Sequence, residues 1–223
     1  LSKGIEAQTL IGITSATLNY FPFMTLLNLI TYTGIFVFAG TGAFKARTYQ
    51  MDIFGAAVLA FVTAYGGGTL RDLLIGVRPV NWVNDYLALG LVFSATLITF
   101  IFRLNYDRFK RTIFITDAIG LGLFTAAGIE KSILLGINEM YAVVMGVITA
   151  TFGGMLGDVL CNAVPNLFKR GELYATACAI GGIVYVLLRK AGFEQNINLI
   201  LCVVIVVLTR IISKWKRVQL PEI

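Results

Sequence analysis

Apolar residues in this chain come in long runs, each close to the about 20 residues that cross about 30 Å of hydrocarbon. They fall at about Phe23–Phe44, Met51–Val77, Tyr86–Phe102, Ile113–Leu135, Glu139–Val164, Tyr174–Leu188 and Asn196–Ile212. Backbone polar groups at that depth must be satisfied within the segment, so the runs predict helices. The expected fold is an all-α polytopic membrane protein with seven transmembrane helices. Arg78-Pro79-Val80-Asn81-Trp82 reads as a turn with an interfacial tryptophan, and Arg103–Arg111 as a charged loop. Leu10–Phe23 is apolar but interrupted by Thr14, Ser15, Thr17 and Asn19, so residues 1–22 read as an interfacial lead-in.

Two of the runs share an unusual centre. Gly66-Gly67-Gly68-Thr69-Leu70-Arg71-Asp72 is followed 86 residues later by Phe152-Gly153-Gly154-Met155-Leu156-Gly157-Asp158. The same offset, without a gap, sets Gly34 on Gly120, Phe38 on Phe124, Gly42 on Gly128, Lys45 on Lys131 and Thr63 on Thr149. It also sets Pro79 on Pro165 and Arg103 on Arg189. One register held over that span is an internal duplication. Repeat one covers 23–104, repeat two 113–190, and the run at 196–212 is unduplicated; 23–213 form a single membrane domain, with a basic tail at 214–223. Each repeat holds three spans, an odd number, so the second copy sits inverted relative to the first.

Charge then orients the bundle. Five Lys or Arg fall on the side of the N-terminus and twelve on the other, with Arg71 inside the second span. The positive-inside rule places the N-terminus outside and the C-terminus in the cytoplasm of a cell (inner) membrane. Composition agrees with the membrane assignment: 57% of the 223 residues are hydrophobic and 13% charged, against about a quarter charged in soluble domains. Mean hydropathy is +0.83. The net charge of +6 lies in short loops between apolar runs and gives no reason to expect a nucleic-acid partner. Cys161, Cys178 and Cys202 read as small buried hydrophobes. With no histidine, His-based triads and the commonest zinc sites are excluded, and neither a P-loop nor a nucleophile elbow is present. No enzyme and no cofactor is expected.

The chemistry concentrates at the glycine motifs. Three successive glycines cost a helix about 0.8–1 kcal/mol each relative to alanine, and a charge near mid-membrane costs at least about 2.5–3.5 kcal/mol. The expectation is that the second and fifth helices are broken around a polar site. Gly66, Gly67, Gly68 and Thr69 in one repeat and Gly153, Gly154 and Gly157 in the other would form a narrow waist, with Asp72 and Asp158 in opposite vestibules. Glycine there would let backbone carbonyls turn toward a cation; the competing reading is close helix packing through small residues. Neighbours in sequence do not face each other on a helix, so Arg71 is expected to pair with Asp158 or Asp117, or to move as a gating charge. Lys45 and Lys131 either snorkel to the interface as anchors or support gating. Asp117 stands at the expected start of the fourth span, where an acid complements the helix dipole or serves the path.

The run Thr63-Ala64-Tyr65-Gly66-Gly67-Gly68-Thr69-Leu70-Arg71-Asp72 resembles the signature of prokaryotic trimeric intracellular cation (TRIC) channels. Gly153-Gly154 with Asp158, Asp117-Ala118-Ile119-Gly120-Leu121 and Leu173-Tyr174-Ala175 fit the same pattern, and the resemblance runs from Leu27 to Ile212. The same domain is also described as a glycine transporter. The resemblance implies a homotrimer in the lipid bilayer with one ion path per protomer, passing monovalent cations, mainly potassium. One position departs from it: members commonly carry arginine where this chain has Gly157, which would make the inner vestibule more favourable to positive ions. A secondary transporter of a small amino acid such as glycine remains the alternative, because broken inverted-repeat helices also serve alternating access.

Overall fold

A computed structural model describes residues 25–102, 106–169, 173–216 and 218. The lead-in at 1–22 lies outside the described residues, as do Arg103, Arg170, Arg217 and most of the tail. Seven α-helices are present among the described residues: α1 Leu26–Thr48, α2 Ile53–Ile75, α3 Tyr86–Ile101, α4 Tyr106–Leu134, α5 Glu139–Leu160, α6 Ala175–Lys190 and α7 Gln195–Lys216. Short 3-10 turns at Asn81–Asn84 and Asn166–Phe168 follow α2 and α5. Five stretches are long and apolar enough to cross a membrane: α1, α2, Arg111–Leu134 of α4, α5 and α7. The expected all-α, seven-helix membrane fold is the one observed.

The helix ends are set by local chemistry. Thr25 caps α1, its Oγ1 accepting from the Asn28 N–H at 3.3 Å. Asp52 caps α2 by accepting from the Gly55 N–H at 2.7 Å, and Asp85 caps α3 by accepting from the Ala88 N–H at 2.9 Å. Each contact satisfies an amide that the first turn leaves without a partner. Gly76 ends α2 at φ +83°, a left-handed conformation that costs glycine little.

The α1, α2, α5 and α4 helices form a closed inner ring, each packed on the next, with α3 against α1 and α2. α6 holds the matching place against α5 and α4, and α7 covers α4 and α6. The duplication is visible as reciprocal contacts. Gly67 of α2 lies against the Thr149 carbonyl of α5, and Gly153 of α5 lies against the Thr63 carbonyl of α2. Gly34 receives the Phe124 ring and Gly120 the Phe38 ring. As residue number rises along one helix of each pair it falls along the other, so the pairs are antiparallel and the repeats are inverted. Phe38 and Phe124 meet edge to face across this axis, with centroids 4.9 Å apart.

One expectation is corrected here. Neither α2 nor α5 is broken: both run as continuous helix through their glycines. The intrinsic helix cost of the glycines is offset by the close approach they allow. A Cβ on Gly67 would overlap the Thr149 carbonyl oxygen, and one on Gly153 would overlap that of Thr63. Small residues at helix crossings in membranes serve this packing. Cys161, Cys178 and Cys202 are free thiols buried in the bundle, as expected.

Gly67→Ala and Gly153→Ala should each destabilise the folded protein by about 1–3 kcal/mol through overpacking. Gly40→Ala, where an added Cβ meets nothing within 4 Å, should be neutral or stabilising by about 0.5–1 kcal/mol. Thermal unfolding of the purified proteins in one detergent checks the opposite signs.

Candidate functional site: two vestibules at the α2–α5 crossing

Two cavities approach the crossing from opposite ends of the bundle. The first, about 310 Å³, lies at the end where α2 terminates and includes Tyr32, Tyr65, Thr69, Arg71, Asp72, Asn81, Trp82, Asp85, Lys131 and Thr149 in its wall. The second, about 230 Å³, lies where α5 terminates and includes Thr41, Gly42, Lys45, Thr63, Asp117, Gly154, Asp158, Tyr174 and Arg210. Each vestibule holds one of the duplicated aspartates. Asp72 and Asp158 are both almost fully buried, at 1% and 3% exposure, so each needs partners to remain charged.

Those partners differ between the repeats. Arg71 Nε and Nη2 both donate to Oδ1 of Asp72, at 3.0 and 2.6 Å. Oδ2 accepts from the backbone N–H and side-chain amide of Asn81, at 3.2 and 2.5 Å. Asp158 is held by Lys45, whose ammonium donates to Oδ1, and by the Asn166 N–H, which donates to Oδ2 at 2.9 Å. In both repeats the 3-10 turn after the helix folds back onto the aspartate near its end. The cation, however, comes from the same helix in one repeat and from α1 in the other.

Several expectations are corrected by this geometry. Arg71 pairs with its neighbour Asp72, not with Asp158 or Asp117. Its long side chain can curl along the helix so that the guanidinium reaches the adjacent carboxylate, a freedom that rules about stacked side chains do not cover. Lys45 is no interfacial anchor but a partner of Asp158 inside the second vestibule. Lys131 also points into a cavity, and among the described residues it makes no ion pair or hydrogen bond. Its symmetry-related carboxylate, Asp72, is already occupied by Arg71, whereas glycine at 157 leaves Asp158 to Lys45.

Asp117 does not open its helix. It lies well inside α4, buried, and accepts from Tyr174 Oη at 3.1 Å and Arg210 Nη2 at 3.3 Å. The Arg210 guanidinium lies over the Tyr174 and Phe114 rings, 4.8 and 5.0 Å from their centroids. Arg210, counted among the loop charges, is 1% exposed within α7 and does not belong in a topology tally. Gly157 contributes no cation to the second vestibule, but other residues do. Its two carboxylates are each paired with a cation, and Lys169 and Lys214 stand exposed beside them.

Gly66 and Gly67 lie on the α5 seam, whereas Gly68 and Thr69 face the first vestibule, where Thr69 Oγ1 accepts from Trp82 Nε1 at 3.0 Å. Trp82, in the wall of that cavity, packs on Phe61 and Tyr65, at 5.0 and 5.9 Å between centroids. It is part of the site more than an interfacial anchor. Gly154 leaves room for the Tyr174 hydroxyl, and Gly157 for the Thr63 hydroxyl. Glu130 was not singled out by sequence. It is buried at 2% exposure and accepts from the Tyr185 hydroxyl and from Gln195 Nε2 at 2.8 Å, with Arg189 at 3.8 Å. An ionisable residue inside an apolar run is itself a signal of a buried network, and both Glu130 and Arg210 carried it.

Inverted three-helix repeats around paired buried carboxylates define a class of channel- and transporter-like membrane proteins. Solved structures narrow that class. The chain superposes on the TRIC channel orthologue from Rhodobacter sphaeroides with a TM-score of 0.82 at 35% identity, over 86% of this chain and 99% of that one. A second structure, solved for conductance through TRIC cation channels, matches at 0.77 and 35% over 89% and 97%. A prokaryotic TRIC channel in 0.5 M KCl matches at 0.80 and 29% over 87% and 98%. These structural relatives are ion channels, not enzymes.

The profile of the family described as Glycine transporter matches residues 28–103 and again 114–190, one match per repeat. A UPF0126 membrane protein of Vibrio cholerae is 38% identical over 198 residues, 88% of this chain and 82% of its own length. The UPF0126 inner membrane protein YadS of Escherichia coli K12 is 38% identical over 161 residues, 72% and 77%. The chain belongs to this Glycine transporter (UPF0126) family and has the prokaryotic TRIC channel fold.

Arg210→Met should cost about 3–5 kcal/mol, because it strands a buried Asp117 carboxylate. Adding Asp117→Asn should recover a large part of that loss. Unfolding midpoints of the two single variants and the double variant in detergent give the coupling.

Proposed function

We propose that this protein is a monovalent cation channel, mainly for potassium, with one ion path in each protomer of a homotrimer. The observation that carries this reading is the pair of vestibules meeting at one crossing from opposite ends, each with a buried carboxylate. The likeness to solved TRIC channels supports it. Asp72 and Asp158 attract the cation; Gly66, Gly67, Gly153 and Gly157 seat α2 against α5 at the waist, and Gly68 and Gly154 leave room in the vestibule walls. Thr69 and Arg71 line the approach; Lys45, Lys131 and Asp117 adjust its charge. Deep in the second vestibule the cations are paired, and Lys169 and Lys214 at its mouth are exposed to salt screening over about 8 Å. The domain spans 23–213 in a cell (inner) membrane, with the N-terminus outside and the 214–223 tail in the cytoplasm.

A second reading has its own observation. Lys131 has no ion-pair partner among the described residues, and the buried hydroxyl of Tyr65, which lines the same cavity, lacks a hydrogen-bond partner. With Asp85 in the same wall, the first vestibule presents both charges needed to hold a zwitterion such as glycine. A secondary transporter of a small amino acid would use it so, in keeping with the family description.

Purified protein in liposomes separates the two. A channel gives unitary currents under a K⁺ gradient alone; a transporter gives saturable glycine uptake and no unitary events. For the channel, Asp72→Asn and Asp158→Asn should each lower cation conductance or the preference over chloride while trimers persist. Unchanged currents in both single variants and the double variant would leave the carboxylates structural. Orientation is tested on whole cells: a cysteine at Ser2 should label with an impermeant reagent and one at Val218 should not.

A further inference from the structure

We propose that Thr63 and Thr149 supply the oxygen ligands a cation meets as it crosses between the vestibules, an inference that rests on the channel reading. The two threonines are related by the duplication, and both are buried, at 4% and 3% exposure. Thr63 lines the second vestibule and Thr149 the first. Ala64, the next residue after Thr63, lines the first. Neighbouring residues of α2 therefore line the two cavities.

The hydroxyls are set up as acceptors. Thr63 Oγ1 donates to the Leu59 carbonyl at 2.7 Å, and Thr149 Oγ1 donates to the Met145 carbonyl at 2.6 Å. Each hydroxyl has one hydrogen, already committed inside its own helix, while its lone pairs remain. Such an oxygen can face a cation but has nothing to donate to an anion.

Each oxygen also sits in a slot that glycine opens. A Cβ on Gly42 would lie 2.7 Å from Thr63 Oγ1 and one on Gly157 would lie 2.8 Å from it. A Cβ on Gly128 would lie 2.7 Å from Thr149 Oγ1. Phe124 of α4 adds an apolar face to the first vestibule. A crossing lined by neutral oxygens suits a partly dehydrated monovalent ion. Calcium takes about 6–8 oxygen ligands, commonly including carboxylates, and magnesium gives up its waters reluctantly, so both should be held back there.

The test is single-channel recording in planar bilayers. Thr63→Val and Thr149→Val keep the shape and remove the oxygen; each should lower unitary cation conductance about fivefold, equivalent to about 1 kcal/mol at 1.36 kcal/mol per decade. Thr→Ser at either site should conduct close to wild type. In a background of Cys161→Ala, Cys178→Ala and Cys202→Ala, Thr63→Cys and Thr149→Cys should become irreversibly blocked by Ag⁺, and the background alone should not. The Ag⁺ arm carries the test if a valine variant does not fold. Valine variants that conduct like wild type, or conducting cysteine variants that Ag⁺ leaves open, would overturn the assignment while leaving the channel reading intact. A wild type that shows no unitary current would instead overturn the channel reading itself.

Discussion

The α2–α5 crossing is the constraint on which the rest of the structure depends. Backbone touches backbone there, Gly67 on the Thr149 carbonyl and Gly153 on the Thr63 carbonyl, and no residue larger than glycine fits either place. Because the contact is reciprocal, it fixes the antiparallel register of the two helices and with it the inversion of the repeats. The α1–α4 pair follows the same symmetry through Gly34 and Gly120, each receiving a phenylalanine ring from the other repeat. With these two seams fixed, the four inner helices leave a cavity at each end.

The symmetry of the backbone is not kept by the charges. Asp72 and Asp158 occupy matching positions and each is backed by an asparagine of the following turn. The residue before the aspartate decides the remainder. Arginine at 71 neutralises Asp72 from within α2, whereas glycine at 157 leaves Asp158 open to Lys45 on α1. The second vestibule is thus bridged by an ion pair between two helices, and the first is not. Lys131 is left facing its cavity, near a carboxylate it does not bind. One divergent position in a duplicated pair thereby produces two chemically different ends.

Two further networks of buried polar groups, one in the wall of the second vestibule, hold the bundle together. Asp117, Arg210 and Tyr174 tie α7 and the start of α6 to α4. Glu130, Tyr185 and Gln195 do the same at the other end. Both join the unduplicated α7 to the repeats, which have no symmetry-related partner for it. In a hydrocarbon setting polar contacts of this kind compensate for the weak hydrophobic drive between helices.

The sequence by itself determined the membrane class, seven spans, the duplication and hence the inversion. It also located the two carboxylates. These follow from the length of apolar runs and from one offset held over many residues, and both are properties of the linear chain. Only the tertiary structure decided whether glycine would break a helix or seat one helix on another, since that depends on whether a carbonyl waits opposite. It also decided which cation meets which carboxylate. Arg71, Lys45 and Arg210 chose partners 1, 113 and 93 residues away, because reach and the rotation of each helix set the pairing, and neither is encoded by spacing along the chain.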